Sequence, residues 1–531
     1  MHFYEAQNLP LGVQNFAELR QAQLLYVDKT ALIFDLVKAP KGFYFLSRPR
    51  RFGKSLLLST IESLFEEGLT HFKGLAIERL WTEKETYPVI HLDLSKCTMF
   101  NSLEEFKTLY EGIVVNGFSA AGIPIPEPTF ANEPLSLRLD RFFLQLPSSV
   151  KPVILIDEYD APLNFCLDKK QLLKQVSELL TLFYITIKSY AGKLRFFFVT
   201  GICKYQELRV FSSGTFIKDI SMSARFATLL GYTEEELLLY FRPLIQNAAT
   251  SNGMSFDECF MKMKQNYDGF CFDENGKTHV FVPWSTFNYL NAPEDGFKNY
   301  WYESGGQPEI LIKYLQEHAI KKPEDYGQDL VVDYESLRMS QGFEFQNDLS
   351  LLAQTGYITV KKKINDAFAL MNYPNLEVSK SMATLFARKF FPQNLNTELI
   401  LSFSQGNTQS IVKQINELLL SIPYLGHPVN NESILRMLLG FTLVTGGFEV
   451  NYEAVNALGR SDLEVRCGDL YYVIELKFAR EGDDQKNLLE KAIAQVKEKH
   501  YGEQNHTELT HIRIALVFSE KEKIFTEYAV F

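Results

Sequence analysis

The chain has 531 residues, and its 54 lysines and arginines against 65 aspartates and glutamates give a formal net charge of −11. Hydrophobic residues make up 46% of the chain and charged residues 22%, which excludes wholesale disorder and a collagen-like or coiled-coil architecture. The acidic total argues against a protein that coats nucleic acid through bulk charge, although a local basic patch could still bind it. At about 150 residues per domain, the length predicts about three domains.

Cysteine spacing and hydropathy bear on the compartment. The six cysteines are scattered, without a CxxC pair or the spacing of a zinc finger, which favours free thiols in a reducing cytoplasm. The first residues lack the basic and apolar regions of a signal peptide, and no stretch approaches about 18 uninterrupted apolar residues. We therefore expect a cytoplasmic protein without a membrane partner.

The first half of the chain alternates apolar runs with helical patterns. The run at 43–46 precedes a basic loop and a helix, residues 152–158 (PVILIDE) predict a buried strand that ends in two acids, and residues 194–201 predict another. An amphipathic helix separates the last two strands. Such alternation predicts βαβ units and a mostly parallel sheet. A capping signal at Thr233 and Glu236 then opens a helical region.

The second half has a different pattern. From about 250 to 345 it is mixed and rich in aromatic residues, and residues 346–425 predict mainly helix. The last hundred residues predict a helix at 431–445, a hairpin, a second helix and a final strand. This α–β–β–α–β order suits a small separate domain.

The basic loop after the first predicted strand carries residues that phosphate binding needs. Such a site requires backbone N–H groups at a helix N-terminus, a lysine for the β- and γ-phosphates, and a hydroxyl for Mg²⁺. Gly53, Lys54 and Ser55 meet these requirements, although Arg48 replaces the first glycine of the G-x-x-x-x-G-K-[ST] pattern. The tripeptide alone is a weak signal, because it recurs by chance roughly once in a few chains of this size.

The strand that ends in Asp157 and Glu158 strengthens this interpretation. In P-loop ATPases an acid at this place holds the metal and a second residue orients the attacking water. We expect Asp157 in the Mg²⁺ shell, Glu158 beside the water, and Thr200 as a polar sensor of the γ-phosphate. The alternative is structural: the two acids merely cap a strand end, and the loop is a basic turn. For Arg50 and Arg51, phosphate contact and a solvated loop position both stay open.

Two arginines outside the loop, Arg209 and Arg225, are candidate arginine fingers, a weak signal because any sequence offers such residues.

A second set of polar residues occupies two predicted strands near the C-terminus. Glu475 and Lys477 share one face of a strand, while Ile474 and Leu476 point to the core. We expect Asp462, which ends the preceding predicted strand, to meet Glu475 around a divalent metal, with Lys477 beside the attacking water. Metal-assisted hydrolysis of a phosphodiester needs carboxylates for Mg²⁺ and a cation for the developing charge.

Two helical residues complete this candidate site. Glu432 on the preceding helix is a further candidate metal ligand, and Gln495 on the following helix is a candidate for orienting substrate or a metal-bound water. The competing interpretation is structural, because an E-x-K pair on an amphipathic strand is commonly a solvated cross-strand ion pair.

The motifs together resemble a known family. The chain resembles bacterial proteins that pair an N-terminal AAA-ATPase-like domain with a C-terminal PD-(D/E)XK nuclease-superfamily domain, over nearly its whole length. In that family arginine is the usual residue at the position of Arg48. The motifs that carry the resemblance are LPLGVQNFAELR and those at 26–30 (YVDKT), 48–55 (RPRRFGKS), 157–162 (DEYDAP), 231–233 (GYT), 267–270 (YDGF), 352–359 (LAQTGYIT), 374–378 (PNLEV) and 459–477. The chain departs from the family at 211–217 and at 282–285, where relatives tend to have asparagines.

The resemblance implies an α/β multidomain fold that binds ATP and Mg²⁺. The expected segments are an AAA-ATPase-like P-loop domain at 1–245, a helical or winged-helix-like region at 246–345, a mainly helical connecting region at 346–428, and a small α/β, restriction-endonuclease-like PD-(D/E)XK domain at 429–531. The candidate nucleotide-binding residues are Arg48, Pro49, Arg50, Arg51, Phe52, Gly53, Lys54 and Ser55, with Asp157 and Thr200. The candidate nuclease residues are Asp462, Glu475 and Lys477, with Glu432 as a further metal ligand.

The expected function is an ATP-binding, ATP-hydrolysing switch that controls a Mg²⁺-dependent nuclease acting on nucleic acid, with DNA favoured over RNA. Two alternatives stay open, a binding module with an inactive nuclease fold and an ATPase that remodels a protein client; self-association also stays open. Residues 41–54 carry five cations and no acid, whereas 12 basic and 17 acidic residues from 432 to 531 give 12 − 17 = −5. The C-terminal domain therefore lacks the basic character of a strong nucleic-acid binder.

Overall fold

The computed structural model describes residues 8–205, 217–305, 311, 329–338, 348–390, 397–421, 429–452, 455–456, 459–502 and 508–531. The chain folds into two compact units. The first comprises residues 1–314 and 329–378, and the second comprises residues 315–328 and 379–531. In the part of the chain that is described, no helix is long and apolar enough to cross a lipid bilayer.

A parallel five-stranded sheet forms the centre of the first unit. Its strands are β1 (Gly42–Ser47), β2 (Val89–Asp93), β3 (Val153–Asp157), β4 (Phe196–Gly201) and β5 (Lys218–Asp219), in the order β2–β3–β4–β1–β5. Every residue of β3 and β4 is buried, as their continuous apolar runs predict. The sequence pattern did not single out β2, because its alternate residues His91 and Asp93 are only partly buried.

Helices cover this sheet. They are α1 (Phe16–Gln21), α2 (Thr30–Val37), α3 (Lys54–Glu67), α4 (Leu103–Ala120), α5 (Leu135–Gln145), α6 (Ala161–Phe165) and α7 (Lys170–Ser189). Helix α3 packs against β2 and β3, and α4 packs against β2. Because all five strands run the same way, the loop between β1 and α3 lies at the same edge of the sheet as the ends of β3 and β4.

The rest of the first unit is mixed. Its elements are α8 (Glu234–Tyr240), α9 (Arg242–Ser251), α10 (Phe256–Tyr267), β6 (Phe270–Cys271), β7 (His279–Val280), α11 (Pro283–Asn291), α12 (Tyr300–Glu303), β8 (Leu330–Asp333), α13 (Tyr334–Arg338), α14 (Asp348–Thr355), β9 (Thr359–Lys363) and β10 (Phe368–Asn372). The predicted capping box is present at Thr233 and Glu236. Strands β8, β10 and β9 form an antiparallel sheet. The expectation of mainly helix at 346–425 did not include the strands β9 and β10.

The second unit is built on a mixed sheet with the order β11–β14–β15–β16–β17. The division between the units falls inside α15 (Leu376–Phe390), after Val378. The following elements are α16 (Thr397–Ser404), α17 (Thr408–Leu420), α18 (Glu432–Thr445), β11 (Glu449–Tyr452), β12 (Val455–Asn456), β13 (Gly459–Arg460), β14 (Leu463–Cys467), β15 (Leu470–Ala479), α19 (Gln485–Glu498), β16 (Thr510–Ser519) and β17 (Ile524–Val530). The predicted helix, hairpin, helix and strand are α18, β14–β15, α19 and β16, and the sheet gains β11 and β17 at its edges.

Strands β15 and β16 are parallel, and α19 connects them. Helix α19 packs against both strands, with Val496 buried in a cluster with Tyr471, Val473 and Tyr501. Asp462 directly precedes β14, so the expectation that it ends the preceding strand is wrong. The carboxylate of Asp462 accepts the backbone N–H of Leu476 on β15, so that a side chain takes the place of a backbone partner just before β14 begins.

Candidate functional site

The loop between β1 and α3 curls at the N-terminus of α3. Gly53 is the N-cap of this helix and has a φ of +91°, a left-handed conformation that favours glycine. Arg51 also has a positive φ, +70°. The first backbone N–H groups of a helix lack partners within it, and together with the helix dipole they favour an anion. The loop therefore presents an anion-binding helix end at the edge of the sheet.

Lys54 turns back into this loop. Its Nζ donates hydrogen bonds to the carbonyl oxygens of Arg48 at 3.1 Å and Pro49 at 3.0 Å, and the side chain is buried. Burial lowers the pKa of Lys54 below its ordinary value, although the nearby carboxylates of Asp157 and Glu158 oppose this effect. Among the described residues, the hydrogen-bond acceptors of the ammonium are these two neutral carbonyl oxygens, which phosphate oxygens could replace.

Ser55 and Asp157 come together although 102 residues separate them in the chain. The Ser55 hydroxyl donates to Asp157 Oδ2 at 2.6 Å, and Asp157 Oδ1 accepts the backbone N–H of Glu158 at 2.9 Å. A hydroxyl and a carboxylate are the oxygen ligands that Mg²⁺ uses beside a phosphate loop. The donor set therefore fits the predicted ion, which these two residues would hold.

Glu158 and Thr200 flank this pair. Burial raises the pKa of Glu158 above its ordinary value, and Asp157 and Asp160 add to the effect, while Lys54 opposes it. Thr200, near the end of β4, is fully buried, and its hydroxyl has no hydrogen-bond partner within the described ranges. Since β4 lies between β3 and β1, this hydroxyl lies between the acidic strand end and the strand that leads into the loop.

Asp160 also belongs to this region, although the sequence did not predict a role for it. Its carboxylate is buried and accepts the backbone N–H groups of Ile202 and Cys203, which follow β4. Gly201 is required beside it, because an added Cβ would lie 2.4 Å from Asp160 Oδ1. The DEYDAP motif was the available signal. Asp160 ties the segment after β3 to the end of β4 and so holds Glu158 and Thr200 near each other.

Arg48 is used inside the protein. It is buried, its Nη1 donates to the carbonyl oxygens of Ser47 and Ser221, and its guanidinium lies 4.0 Å from the centre of the Phe272 ring. Burial lowers the pKa of Arg48 to about 9. Phe52 is buried against Phe270 and Phe272. These two loop residues anchor the loop, and their predicted contact with nucleotide stays a prediction.

The other two loop arginines bind carbonyl oxygens of a distant segment. Arg50 Nη1 donates to the Gly305 carbonyl at 3.2 Å, and Arg51 Nε donates to the Ser304 carbonyl at 2.8 Å. Neither acceptor could be predicted from sequence, because more than 250 residues separate it from the loop.

A cavity of about 340 Å³ opens beside the loop. Its size lies within the range of about 300–1,000 Å³ that is typical of small-molecule sites. Its wall includes the loop residues 50–55 with Glu158, the cation Lys29, the aromatic residues Tyr26, Tyr232, Trp284 and Phe287, and several aliphatic side chains. Lys29 Nζ lies 2.6 Å from Glu236 Oε1, and burial lowers the pKa of Lys29. Residues of two motifs that carry the family resemblance, those at 26–30 and 231–233, therefore line this cavity.

The candidate arginine fingers remain unsupported. Arg225 is about half exposed and forms an ion pair with Asp35 at 2.8 Å, and Arg209 lies outside the described residues.

The candidate site of the second unit lies where β14 begins beside β15. Leu463 pairs with Ile474, which places Asp462 and Glu475 at neighbouring positions of the two strands. Asp462 Oδ2 accepts the Leu476 N–H at 2.8 Å, and Asp462 Oδ1 accepts Arg436 Nη1 at 2.8 Å. Arg436, on α18, was not identified from the sequence, where nothing distinguishes it from a surface arginine.

Glu475 and Lys477 form a partly buried pair. Lys477 Nζ donates to Glu475 Oε1 at 2.9 Å, whereas Glu475 Oε2 is buried without a hydrogen-bond partner among the residues that the structure describes. Burial and the negative charge of Asp462 raise the pKa of Glu475 to about 7, while Lys477 opposes the rise. Burial alone would lower the pKa of Lys477, but Glu475 and Glu432 raise it above its ordinary value. A buried carboxylate oxygen without a donor fits a metal ligand.

Glu432 lies beside the lysine. Its Oε1 accepts the Phe478 N–H at 3.3 Å, and its Oε2 is 4.0 Å from Lys477 Nζ. Within the described part of the chain, no three histidine, cysteine or acidic side chains are grouped closely enough to hold a metal ion. The expectation that Asp462 and Glu475 hold a metal ion, with Glu432 as a further ligand, therefore stays a prediction.

Gln495 and Glu464 belong to a neighbouring polar network. The Gln495 amide donates to the Tyr501 hydroxyl at 3.4 Å, so its predicted role towards substrate has no contact that supports it. Glu464, two residues after Asp462, is buried and accepts hydrogen bonds from Ser461 at 2.9 Å and Tyr471 at 2.5 Å. This second buried carboxylate was missed from the sequence.

Comparison with known proteins assigns both regions. Residues 10–211 match the AAA-ATPase-like family described as "Predicted AAA-ATPase", and residues 430–528 match the PD-(D/E)XK nuclease superfamily. The chain thus pairs an AAA-ATPase-like domain with a C-terminal PD-(D/E)XK nuclease-superfamily domain, which confirms the predicted family and α/β fold class. It is also 26% identical over 518 residues to the "Uncharacterized protein in vnfD 5′region" of Azotobacter chroococcum mcd 1, covering 94% of this chain and 93% of that relative.

Proposed function

We propose that the protein binds ATP with Mg²⁺ at the loop after β1 and that this binding controls a metal-dependent nuclease in the C-terminal domain. The observation that carries the nucleotide assignment is the 2.6 Å hydrogen bond between Ser55 and Asp157, beside the buried Lys54. Two sequence motifs that are far apart in the chain meet there, in the arrangement that a phosphate-bound Mg²⁺ requires.

The residues of the nucleotide site have separable roles. Lys54 exchanges the Arg48 and Pro49 carbonyl oxygens for β- and γ-phosphate oxygens, and Ser55 and Asp157 hold the metal. The ion held there would supply positive charge to the phosphates. Glu158, whose pKa is raised above its ordinary value by burial, orients the attacking water and accepts its proton. The buried Thr200 hydroxyl binds the terminal phosphate.

The nuclease assignment uses the pair at β14 and β15. Asp462 and Glu475 hold a divalent cation, with the buried Glu475 Oε2 as its available oxygen. The chemistry that a cation would supply there is polarisation of a phosphoryl oxygen and activation of a water molecule. Lys477 stabilises negative charge on the phosphodiester next to Glu475.

We propose a cytoplasmic protein that acts on DNA in preference to RNA.

Replacing Lys54 tests the nucleotide assignment. Lys54→Ala is expected to weaken ATP·Mg²⁺ binding by calorimetry at least about 100-fold, because it removes a charged donor to phosphate worth about 3 kcal/mol. Lys41→Ala is the matched control, since Lys41 lies in the same basic stretch but donates to the Gly192 carbonyl. Equal ATP affinity in Lys54→Ala and the wild type rules the assignment out.

A second candidate function is a binding module whose nuclease fold does not cut. It is favoured by the cation partners that both acids already have, Arg436 for Asp462 and Lys477 for Glu475. Incubation with supercoiled plasmid, single strands and RNA, with Mn²⁺ and with or without ATP, separates the two. Cleavage that disappears in Glu475→Ala and Lys477→Ala supports the nuclease. Retention of nucleic acid without cleavage supports the binding module, and client-stimulated ATP hydrolysis that survives Glu475→Ala supports a remodelling ATPase.

A further inference from the structure

The two central arginines of the phosphate loop hold the end of helix α12. Arg50 donates to the Gly305 carbonyl, and Arg51 donates to the Ser304 carbonyl, directly after the last residue of α12. Cations at this end of a helix satisfy its unpaired carbonyl oxygens. The loop that would bind phosphate is therefore also the C-terminal cap of a helix far along the chain.

Helix α12 is fixed at its start as well. The backbone N–H of Trp301 donates to Glu377 Oε1 at 2.9 Å, and the Trp301 indole donates to the Arg50 carbonyl at 3.2 Å. Glu377 is buried in the first turn of α15 and also accepts the Ser285 hydroxyl at 2.9 Å. Loop, α12 and the start of α15 are thus linked through consecutive hydrogen bonds.

In the described part of the chain, no ion pair joins either arginine to an acid. Within the described residues, the guanidinium groups of Arg50 and Arg51 meet neutral carbonyl oxygens and, for Arg51, the ring of Trp284 at 4.6 Å. A phosphate oxygen carries a negative charge that a carbonyl oxygen lacks, and a guanidinium can bind phosphate through two parallel hydrogen bonds. An incoming phosphate would therefore compete well for both side chains.

Both arginines lie on the side of the loop where a terminal phosphate would be. They line the same cavity as Lys54, Ser55 and Glu158. Rotation of the two side chains, without movement of the loop, could bring them to that phosphate.

We propose that Arg50 and Arg51 read the γ-phosphate and pass its presence to α12. The proposal rests on nucleotide binding at Lys54. Without ATP the arginines bind the carbonyl oxygens of Gly305 and Ser304. With ATP they exchange these carbonyls for phosphate oxygens, so that the end of α12 loses its cap and Arg51 leaves Trp284. ADP lacks the phosphate that drives the exchange, and the two residues therefore discriminate ATP from ADP.

Tryptophan fluorescence tests the exchange in the full chain. Of its three tryptophans, Trp284 contacts Arg51 and Trp301 binds the loop backbone. ATP with Mg²⁺ is expected to change the emission clearly more than ADP, and Trp284→Phe is expected to remove most of the difference. Equal changes with saturating ATP and ADP, or an undiminished difference in Trp284→Phe, would overturn the proposal.

Arginine replacements test the discrimination directly. Arg50→Gln and Arg51→Gln are each expected to lower the ratio of ATP to ADP affinity about tenfold, the effect of losing one charged hydrogen bond. Arg242→Gln is the control, because Arg242 also stacks on a ring, that of Phe256 at 4.7 Å, outside the loop. An unchanged ratio in both loop variants contradicts the arginine proposal alone. Absence of any nucleotide binding by the wild type contradicts the nucleotide site itself, and the fluorescence comparison stands even where a variant does not fold.

Discussion

The two candidate sites differ in how their charged side chains are balanced at the scale of single residues. At the loop between β1 and α3 the cations Lys54, Arg50 and Arg51 donate hydrogen bonds to backbone carbonyl oxygens, and these acceptors, as far as the structure describes the chain, are neutral. At the C-terminal site Asp462 and Glu475 each already bind a cationic side chain. A metal ion there must therefore share or displace an ion pair.

This difference predicts that Arg436 weakens metal binding. Arg436→Gln is expected to strengthen Mn²⁺ binding about fivefold. The reason is that the metal no longer competes with the positive charge of Arg436 for Asp462, an ion pair worth about 1 kcal/mol. Titration of Mn²⁺ followed by electron paramagnetic resonance measures the change.

Two variants control the Mn²⁺ titration. Arg466→Gln removes an exposed arginine of the same sheet, near Glu449 at 3.9 Å, and should leave Mn²⁺ affinity unchanged. Glu475→Gln should lose most of the binding. Mn²⁺ affinity that stays the same or falls in Arg436→Gln contradicts the prediction.

A single glycine near the nucleotide site predicts a packing effect. In Gly201→Ala the new Cβ would lie 2.4 Å from Asp160 Oδ1 and 2.6 Å from the Tyr159 ring, so a buried strand end must shift. Such overpacking typically costs about 1–3 kcal/mol of unfolding free energy. Urea unfolding checks this value. The control is Gly192→Ala, where nothing lies within 4 Å of the new Cβ, and equal stability of both variants would speak against the close contact between Asp160 and the end of β4.

At the scale of elements, continuous patterns were predictable and long-range contacts were not. Local sequence patterns predict the buried strands β3 and β4 and the hairpin of β14 and β15. Strand β2 and the β9–β10 pair were missed or only partly seen, because partly buried polar residues and lysines interrupt their patterns. The partners of the loop arginines depend on how distant segments pack, which no local pattern encodes.

The residues of the candidate sites follow the same rule. Motif spacing predicted that Ser55 would approach Asp157, since both lie at the carboxyl edge of a parallel sheet. It could not predict that Arg48 turns into the core or that Arg436 binds Asp462, because each contact joins residues from separate elements. The catalytic roles of the candidate-site residues stay predictions.

The buried Glu377, which accepts a hydrogen bond from α12, predicts that stability depends on pH. Burial raises the pKa of Glu377 from 4.5 to about 8. Between these values the folded chain keeps a proton that the unfolded chain has released, so the free energy of unfolding falls as pH rises. Glu377→Gln, which cannot ionise, should lack this contribution, and its stability relative to the wild type should increase from pH 5 to pH 8. Urea unfolding at several pH values measures the difference.

The comparison between the two chains at each pH is the control for other titrating groups. Asp268 and Glu66 also have raised pKa values, about 6 and about 7, and contribute equally to both chains. Parallel stability profiles of the wild type and Glu377→Gln across this range contradict the buried, protonated state of Glu377.

At the scale of the whole molecule, the net charge of −11 hides an uneven distribution. Residues 41–54 carry five cations and no acid, whereas residues 432–531 carry 12 basic and 17 acidic residues. A strongly basic face would bind nucleic acid without help, but the C-terminal domain has no such excess. The charge count therefore gives no sign that the C-terminal domain binds nucleic acid through bulk charge.

Plasmid cleavage is the most direct test of the claim that nucleotide binding controls the nuclease. The rate of cleavage of supercoiled DNA is measured with Mn²⁺, with and without ATP, for the wild type, Lys54→Ala and Glu475→Ala. The account predicts that ATP accelerates cleavage by the wild type, that Lys54→Ala cleaves at one rate whether or not ATP is present, and that Glu475→Ala does not cleave. Cleavage by the wild type that ATP leaves unchanged, or an ATP effect that persists in Lys54→Ala, would contradict it.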